Sequence, residues 1–154
     1  KDLAVSLGIA GAVRFTGYRK NPFAYLSKSR VFVLSSLREG FPNVVVEAMA
    51  CGVPVVSADC LSGPREICAP GTVAAAPPAI EYGQYGILVP AGSGNGRPGS
   101  EKPLTEGERM LAKAVCTLFR DEKKHRKYSA AGLERAAHFD IERISKQYKQ
   151  LLLV

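Results

Sequence analysis

Two short apolar runs, Val31-Phe32-Val33-Leu34-Ser35 and Val53 to Ala58, stand on either side of a helix-length segment that stops at Gly52. Strands that are apolar residue after residue are buried on both faces, the habit of a parallel sheet covered by helices. Parallel neighbours cannot be joined by a tight turn, so the chain between them must cross over, and the intervening segment is long enough to do so. Run, helix, run therefore commits this chain to an α/β fold: an open parallel sheet with helices on both faces and right-handed crossovers.

The flanks extend the pattern. Lys1 to Leu7 reads as a helix stopped by Gly8, and Val13-Arg14-Phe15-Thr16 as a short strand. Asn21-Pro22 supplies a cap and first position for a helix over Phe23 to Ser29. Gly63-Pro64-Arg65-Glu66-Ile67 looks like a short helix start, and residues 69–85 like a loop. Gly86 to Pro90 is a further strand, and Gly92 to Pro103 a glycine-rich loop. Helices are expected over Leu104 to Phe119, Asp121 to Phe139 and Asp140 to Leu153, with Asp121 and Asp140 as caps. The chain starts inside a helix without an initiator Met, which suggests a piece of a longer polypeptide, one domain spanning 1–154.

With 46% hydrophobic and 23% charged residues the composition is that of an ordinary globular domain. No run is long enough to span a bilayer. Cys51, Cys60, Cys68 and Cys116 show no metal-ligand spacing and read as reduced core thiols, pointing to a cytoplasmic protein. The net charge of +7 suits an anionic partner: a phosphate-bearing ligand, or the acidic inner face of the plasma membrane. Nucleic acid is disfavoured, because no aromatic-interleaved basic stripe and no Trp is present. His125 and His138 read as surface or packing residues.

Chemistry concentrates between the first two apolar runs. Glu47 stands in the otherwise apolar helix Asn43 to Cys51, eight positions after Glu39. A carboxylate among Val, Ala and Met is costly unless something pairs with it. Ligands in open α/β sheets settle beyond the carboxyl ends of the strands, where the Glu39-Gly40 turn should lie. The helix N-terminus over Gly40–Asn43 offers amides to an anion or hydroxyl, and Pro42 loses no useful N–H there. Side chains lean toward a helix N-terminus, so Glu47 should point back at the crevice that Glu39 borders. Two carboxylates at one rim suit a hydroxyl-rich ligand such as a sugar or ribose. The structural alternatives are an ion pair of Glu47 with Arg65 or Arg14, and a merely solvated Glu39.

The block Glu39-Gly40-Phe41-Pro42-Asn43-Val44-Val45-Val46-Glu47-Ala48-Met49-Ala50-Cys51-Gly52-Val53-Pro54-Val55-Val56 resembles the signature of the family 4 (group 1) glycosyltransferases. Val13-Arg14-Phe15-Thr16-Gly17-Tyr18 upstream, and Ser62 to Ile67 and Tyr85 to Pro90 downstream, resemble that family's flanking markers. The resemblance implies the C-terminal, nucleotide-sugar-binding half of a GT-B enzyme with Rossmann-like domains. Residues 140–154 would then pack toward the N-terminal, acceptor-binding half of the same enzyme.

By that resemblance Glu39 is the catalytic-site carboxylate at the donor sugar, with Gly40, Phe41, Pro42 and Asn43 beside it. Glu47 would hold the ribose, Ser35 and Ser36 the phosphates, and Gly17 and Tyr18 the base, with Phe15 equally suited to the core. The implied reaction is retaining transfer from a nucleotide sugar, UDP-linked by preference, to a glycan or polyprenyl-linked acceptor. It needs no metal and no other cofactor. The clamp residues for pyrophosphate would come from before Lys1. The alternatives are a nucleotide-sugar-binding module without catalysis, and a glycoside hydrolase using the two glutamates as acid and base.

Overall fold

The computed structural model describes residues 1–75, 78–92 and 103–152. Its sheet is built from β1 (Phe32–Leu34), β2 (Val55–Asp59), β3 (Glu81–Tyr82) and β4 (Ile87–Pro90), in the order β1-β2-β4-β3. β1, β2 and β4 are parallel, with Phe32 opposite Val55 and Val56 opposite Ile87. The helices are α1 (Asp2–Ser6), α2 (Phe23–Leu26), α3 (Asn43–Ala50), α4 (Pro64–Cys68), α5 (Glu106–Arg120), α6 (Glu122–Ala136) and α7 (Ile141–Leu152). The Rossmann-like open sheet with helices is thus present, and two details differ from the sequence reading.

The first difference is β3. Residues 69–85 read as a loop, yet Glu81 and Tyr82 pair antiparallel with Leu88 and Ile87, so the sheet is mixed at that edge. A two-residue strand carries no periodicity, and only its ladder to β4 reveals it. The second is Val13–Thr16, which forms no strand. Val13 is extended, with φ −108° and ψ 125°, but no neighbour pairs with it, and Phe15 is 59% exposed, so its core alternative fails too. Extended backbone becomes a strand only when an adjacent strand accepts its hydrogen bonds. Of the expected loop at 92–103, residues 93–102 lie outside the described residues.

Each face of the sheet has its own core. Leu34, Val55 and Leu88 meet Val45, Ala48 and Met49 of α3 and Ile67 of α4 on one side. Val56, Ile87 and Val89 meet Ala114 and Leu118 of α5 and Tyr128 of α6 on the other. This two-sided cover is why β2 and β4 are apolar at successive residues, whereas β1 stands at the sheet's edge with Val33 40% exposed, so the expectation that its run is buried on both faces is corrected.

α3 stops where Gly52 turns to φ +71°, and Ser129 of α6 donates to the Gly52 carbonyl at 2.7 Å. α5 begins with a capping box between Thr105 and Glu108. The expected caps Asp121 and Asp140 accept from the backbone amides of Lys124 and Glu142. Cys60 and Cys68 are buried, whereas Cys51 is half-buried and Cys116 exposed, so the core placement expected of all four holds for two and is corrected for the others. His125 Nε2 bonds the Arg30 carbonyl at 2.9 Å, tying the start of α6 to the segment just before β1 (a packing role).

Met49 is fully buried between the sheet and α6. Met49→Ala should lower unfolding stability by about 2–5 kcal/mol, measured by urea denaturation. A loss below about 1 kcal/mol would show that α3 is not packed as described.

Candidate functional site

Because β1, β2 and β4 are parallel, the turns that follow them share one edge of the sheet. β1 feeds the segment Ser35–Pro42 that leads into α3, and β2 feeds Cys60–Gly63 that leads into α4. The two turns touch: a side chain added at Gly63 would lie 2.2 Å from the Gly40 carbonyl oxygen and 2.5 Å from Pro42 Cδ. This edge is where a ligand of an open α/β sheet is held.

Arg65, on α4, fixes the edge electrostatically. It pairs with Asp59 at the end of β2 and, through both guanidinium arms, with Glu81 of β3 at 3.0 and 2.8 Å. Its remaining bonds go to the Thr72 hydroxyl at 2.8 Å and the Val73 carbonyl at 3.1 Å. The guanidinium is consequently held protonated beyond its usual range, first by the Glu81 hydrogen bonds. Neither Arg65 nor Arg14 forms an ion pair with Glu47, so the structural alternative offered for that carboxylate is not realised among the described residues. An Arg flanked in the fold by Asp59 and Glu81 was not anticipated. The signal available was that both acids border apolar strand segments.

Glu47 lies four residues into α3, about 6 Å from its start. It sits off the buried stripe Val45–Ala48–Met49 and is half-buried, so the expectation of a carboxylate enclosed by apolar side chains is corrected. The stripe takes the core contact, and a residue about 100° or more around the helix escapes it. Glu39 is also half-buried, on the turn before α3. Its charge reaches the Cys60 thiol, whose pKa burial raises and the Glu39 and Asp59 carboxylates raise further. Among the described residues neither glutamate side chain has an ion pair or hydrogen bond.

The remaining candidates distribute unevenly. Gly40 is exposed and packs backbone-on against Gly63, Pro42 is buried, and Asn43 is the exposed first residue of α3. The Phe41 ring meets Phe139 edge-on at 5.2 Å, and the Arg135 guanidinium stacks over Phe139 at 4.7 Å. Arg135 and Phe139 were not foreseen as supports of this turn. Ser36 is half-buried, and Ser35 lines a cleft of about 370 Å³ with Leu37, Ala58, Val89, Gly92 and Glu108. That cleft opens on the α5 side of the sheet edge and is lined by neither Glu39 nor Glu47. Gly17 and Tyr18 stand in the unpaired segment, Tyr18 being 91% exposed, with no hydrogen bond or ring contact to the Glu39–Asn43 turn.

A family description, glycosyl transferases group 1, matches residues 1–121. The chain belongs to the group 1 glycosyltransferases. An uncharacterised glycosyltransferase of Methanocaldococcus jannaschii is 43% identical over 155 residues, covering 99% of this chain and 38% of its own length. The N-acetylgalactosamine-N,N'-diacetylbacillosaminyl-diphospho-undecaprenol 4-alpha-N-acetylgalactosaminyltransferase of Campylobacter jejuni is 26% identical over 151 residues, 98% of this chain and 34% of that one. Anabaena HepE, solved in complex with UDP, superposes with a TM-score of 0.75 at 24% identity, over 97% of this chain and 34% of that chain. That likeness shows the fold, the Rossmann-like domain of GT-B glycosyltransferases. The chain spans between 34% and 38% of the length of these curated relatives. No helix of the described residues is long and apolar enough to cross a membrane.

The Arg65 cluster has a pH signature. The Glu81 carboxyl is held below its ordinary value, chiefly by hydrogen bonds from Arg65 and against the opposing effect of burial. A carboxylate depressed on folding stabilises most above its unfolded value near 4.5, and that contribution fades as pH falls through the lower folded value. Glu81→Gln should therefore be less stable than the unaltered protein at pH 7, and the gap should close as pH drops below about 4. Urea midpoints at pH 7 and pH 3 check this, and a gap of the same size at both would refute it.

Proposed function

We propose that this chain is the donor-binding domain of a glycosyltransferase which, when complete, moves a hexose or N-acetylhexosamine from a UDP-sugar to a glycan or polyprenyl-linked acceptor with retention. The observation that carries the reading is the pair Glu39 and Glu47. Both are half-buried, lack a protein partner among the described residues, and lie on one strand–turn–helix crossover at the ligand edge of a group 1 domain. A half-buried carboxylate left without a cation keeps its hydrogen-bonding capacity for a ligand. UDP and UDP-glucose occupy the solved Anabaena relative, and an undecaprenol-linked acceptor appears in the name of the Campylobacter one, which supports the choice of donor and acceptor class.

In this reading Glu47 accepts hydrogen bonds from the ribose hydroxyls. Glu39 does the same for the donor sugar, beside the amides of the Gly40–Asn43 turn. Ser35 and Ser36, where β1 ends, lie toward the phosphates, and Gly17 and Tyr18 toward the base. The protein's work is positioning and charge stabilisation, with the leaving phosphate taking the acceptor proton, so no side-chain nucleophile is required. Amide dipoles and basic side chains meet the pyrophosphate charge in place of a metal ion, and turnover of the complete enzyme is expected to survive EDTA. The exposed apolar side chains Ile141, Tyr148, Leu151 and Leu152 of α7 would face the acceptor-binding half of the same protein. The enzyme would work in the cytoplasm, with its basic charge suited to docking on the inner membrane surface.

Calorimetric titration of the full-length protein with UDP, UDP-glucose, UDP-N-acetylglucosamine and UDP-N-acetylgalactosamine tests the proposal. Glu47→Ala should weaken UDP binding by about 1.5–3 kcal/mol, roughly ten- to a hundredfold, with little change in thermal midpoint. A variant that loses stability but binds UDP normally would place Glu47 in the scaffold instead.

A further inference from the structure

Ser62 is the non-glycine residue that adopts a left-handed backbone among the described residues, with φ +60°. That conformation is costly for any residue with a Cβ, and it persists only where the surroundings over-determine it. Glycine takes a positive φ without a Cβ penalty, as Gly63 does at φ +75° one residue later. A serine in this place therefore calls for an explanation in its hydroxyl, and among the described residues the hydroxyl has one partner: Ser62 Oγ donates to the Glu39 carbonyl oxygen at 2.9 Å.

The surrounding contacts make this bond a lever on Glu39. Gly63 lies flat against Gly40 and Pro42, so the two turns meet backbone to backbone. From the other side the Phe41 ring rests on Phe139, and Phe139 on Arg135, which donates to the Glu66 and Ile67 carbonyls at 2.6 and 3.1 Å. Residues 40–42 are thus held between α4 and the turn that follows α6. The Glu39 side chain itself has no protein hydrogen bond or ion pair among the described residues, so its direction is set by the backbone that carries it. Ser62 grips that backbone at the Glu39 carbonyl.

We propose that Ser62 is a positioning residue for the donor site: by holding the Glu39 peptide carbonyl it fixes where the Glu39 carboxylate meets the donor sugar. The role rests on the placement of Glu39 at the donor given under Proposed function. It makes Ser62 a determinant of sugar binding, not of nucleotide binding, because Glu47 lies on a different element and takes no support from Ser62.

The test uses the full-length enzyme, titrated with UDP and with UDP-glucose, UDP-N-acetylglucosamine and UDP-N-acetylgalactosamine. The readout is the ratio of sugar-nucleotide affinity to UDP affinity. Ser62→Gly relieves the backbone strain and removes the hydroxyl, so its thermal midpoint should hold or rise and its UDP affinity should stay within about twofold. The sugar-dependent ratio should fall about fivefold or more, the scale of one hydrogen bond. In a Glu39→Ala background the same substitution should cost nothing further, because a residue acting through Glu39 cannot add to its loss. Ser62→Asn, which tolerates the left-handed region and carries an amide donor, should recover part of the ratio. A ratio untouched by Glu39→Ala would overturn the donor-site reading and this role with it. A ratio lost in Glu39→Ala but kept in Ser62→Gly, or a Ser62→Gly cost that adds in full, would overturn the positioning role alone.

Discussion

β2 is enclosed on both faces and paired along both edges, and the ligand edge takes its geometry from that confinement. Val55, Val56 and Ser57 are fully buried, with β1 on one side and β4 on the other. Burying an apolar side chain of this size is worth about 1.5–3 kcal/mol, so a strand covered above and below is the stiffest part of such a domain. Its buried hydroxyl is satisfied as well, Ser57 Oγ donating to the Ala58 carbonyl at 3.0 Å. The strand's direction decides the rest: its carboxyl end delivers Asp59 to Arg65 and the Ser62–Gly63 turn to the segment carrying Glu39.

Charge is divided at this edge between structure and site. Arg65 has two carboxylates within reach and spends its donors on them, on Thr72 and on Val73. Such a cluster is self-contained; removing one member strands the others, which is why it belongs to the scaffold. Glu39 and Glu47 are the converse case. They are half-buried on the neighbouring crossover and unpaired among the described residues, so part of their hydration has been removed and no protein cation has replaced it. Arg65 on α4 is engaged by other acids, and the crossover carboxylates have no ion pair among the described residues.

The large outlines were legible because they rest on strong, repeated signals. The runs 31–35, 53–58 and 86–90 became β1, β2 and β4 because continuous apolar sequence has few other uses in a short strand. Asp121 and Asp140 cap helices because a short acid before an amphipathic run satisfies otherwise orphaned amides. What stayed hidden depends on partners distant in sequence. β3 exists only through its ladder to β4, and Val13–Thr16 fails as a strand for want of such a ladder. The Arg135 bonds to the Glu66 and Ile67 carbonyls, and the grip of Ser62 on Glu39, join positions that no local spacing connects. Glu47 departs from the expected enclosure for a subtler reason. Apolar neighbours on a helix do not by themselves surround a residue, because only one stripe faces the core.

The same division explains why rigidity collects beneath the candidate site and not within it. A carboxylate that receives sugar hydroxyls must be aimed before the ligand arrives, since aiming it afterwards would spend binding energy on ordering. Aim can come from bonds to the carboxylate itself, but those would compete with the ligand for the same lone pairs. Holding the backbone beneath it avoids the competition. The Ser62 hydroxyl on the Glu39 carbonyl, the bare Gly63 surface against Gly40, and the Phe41–Phe139–Arg135 stack all act on main chain or neighbouring rings and leave the acid free. Strain at Ser62 is consistent with that arrangement: a left-handed serine is tolerated where its hydroxyl does something a glycine cannot.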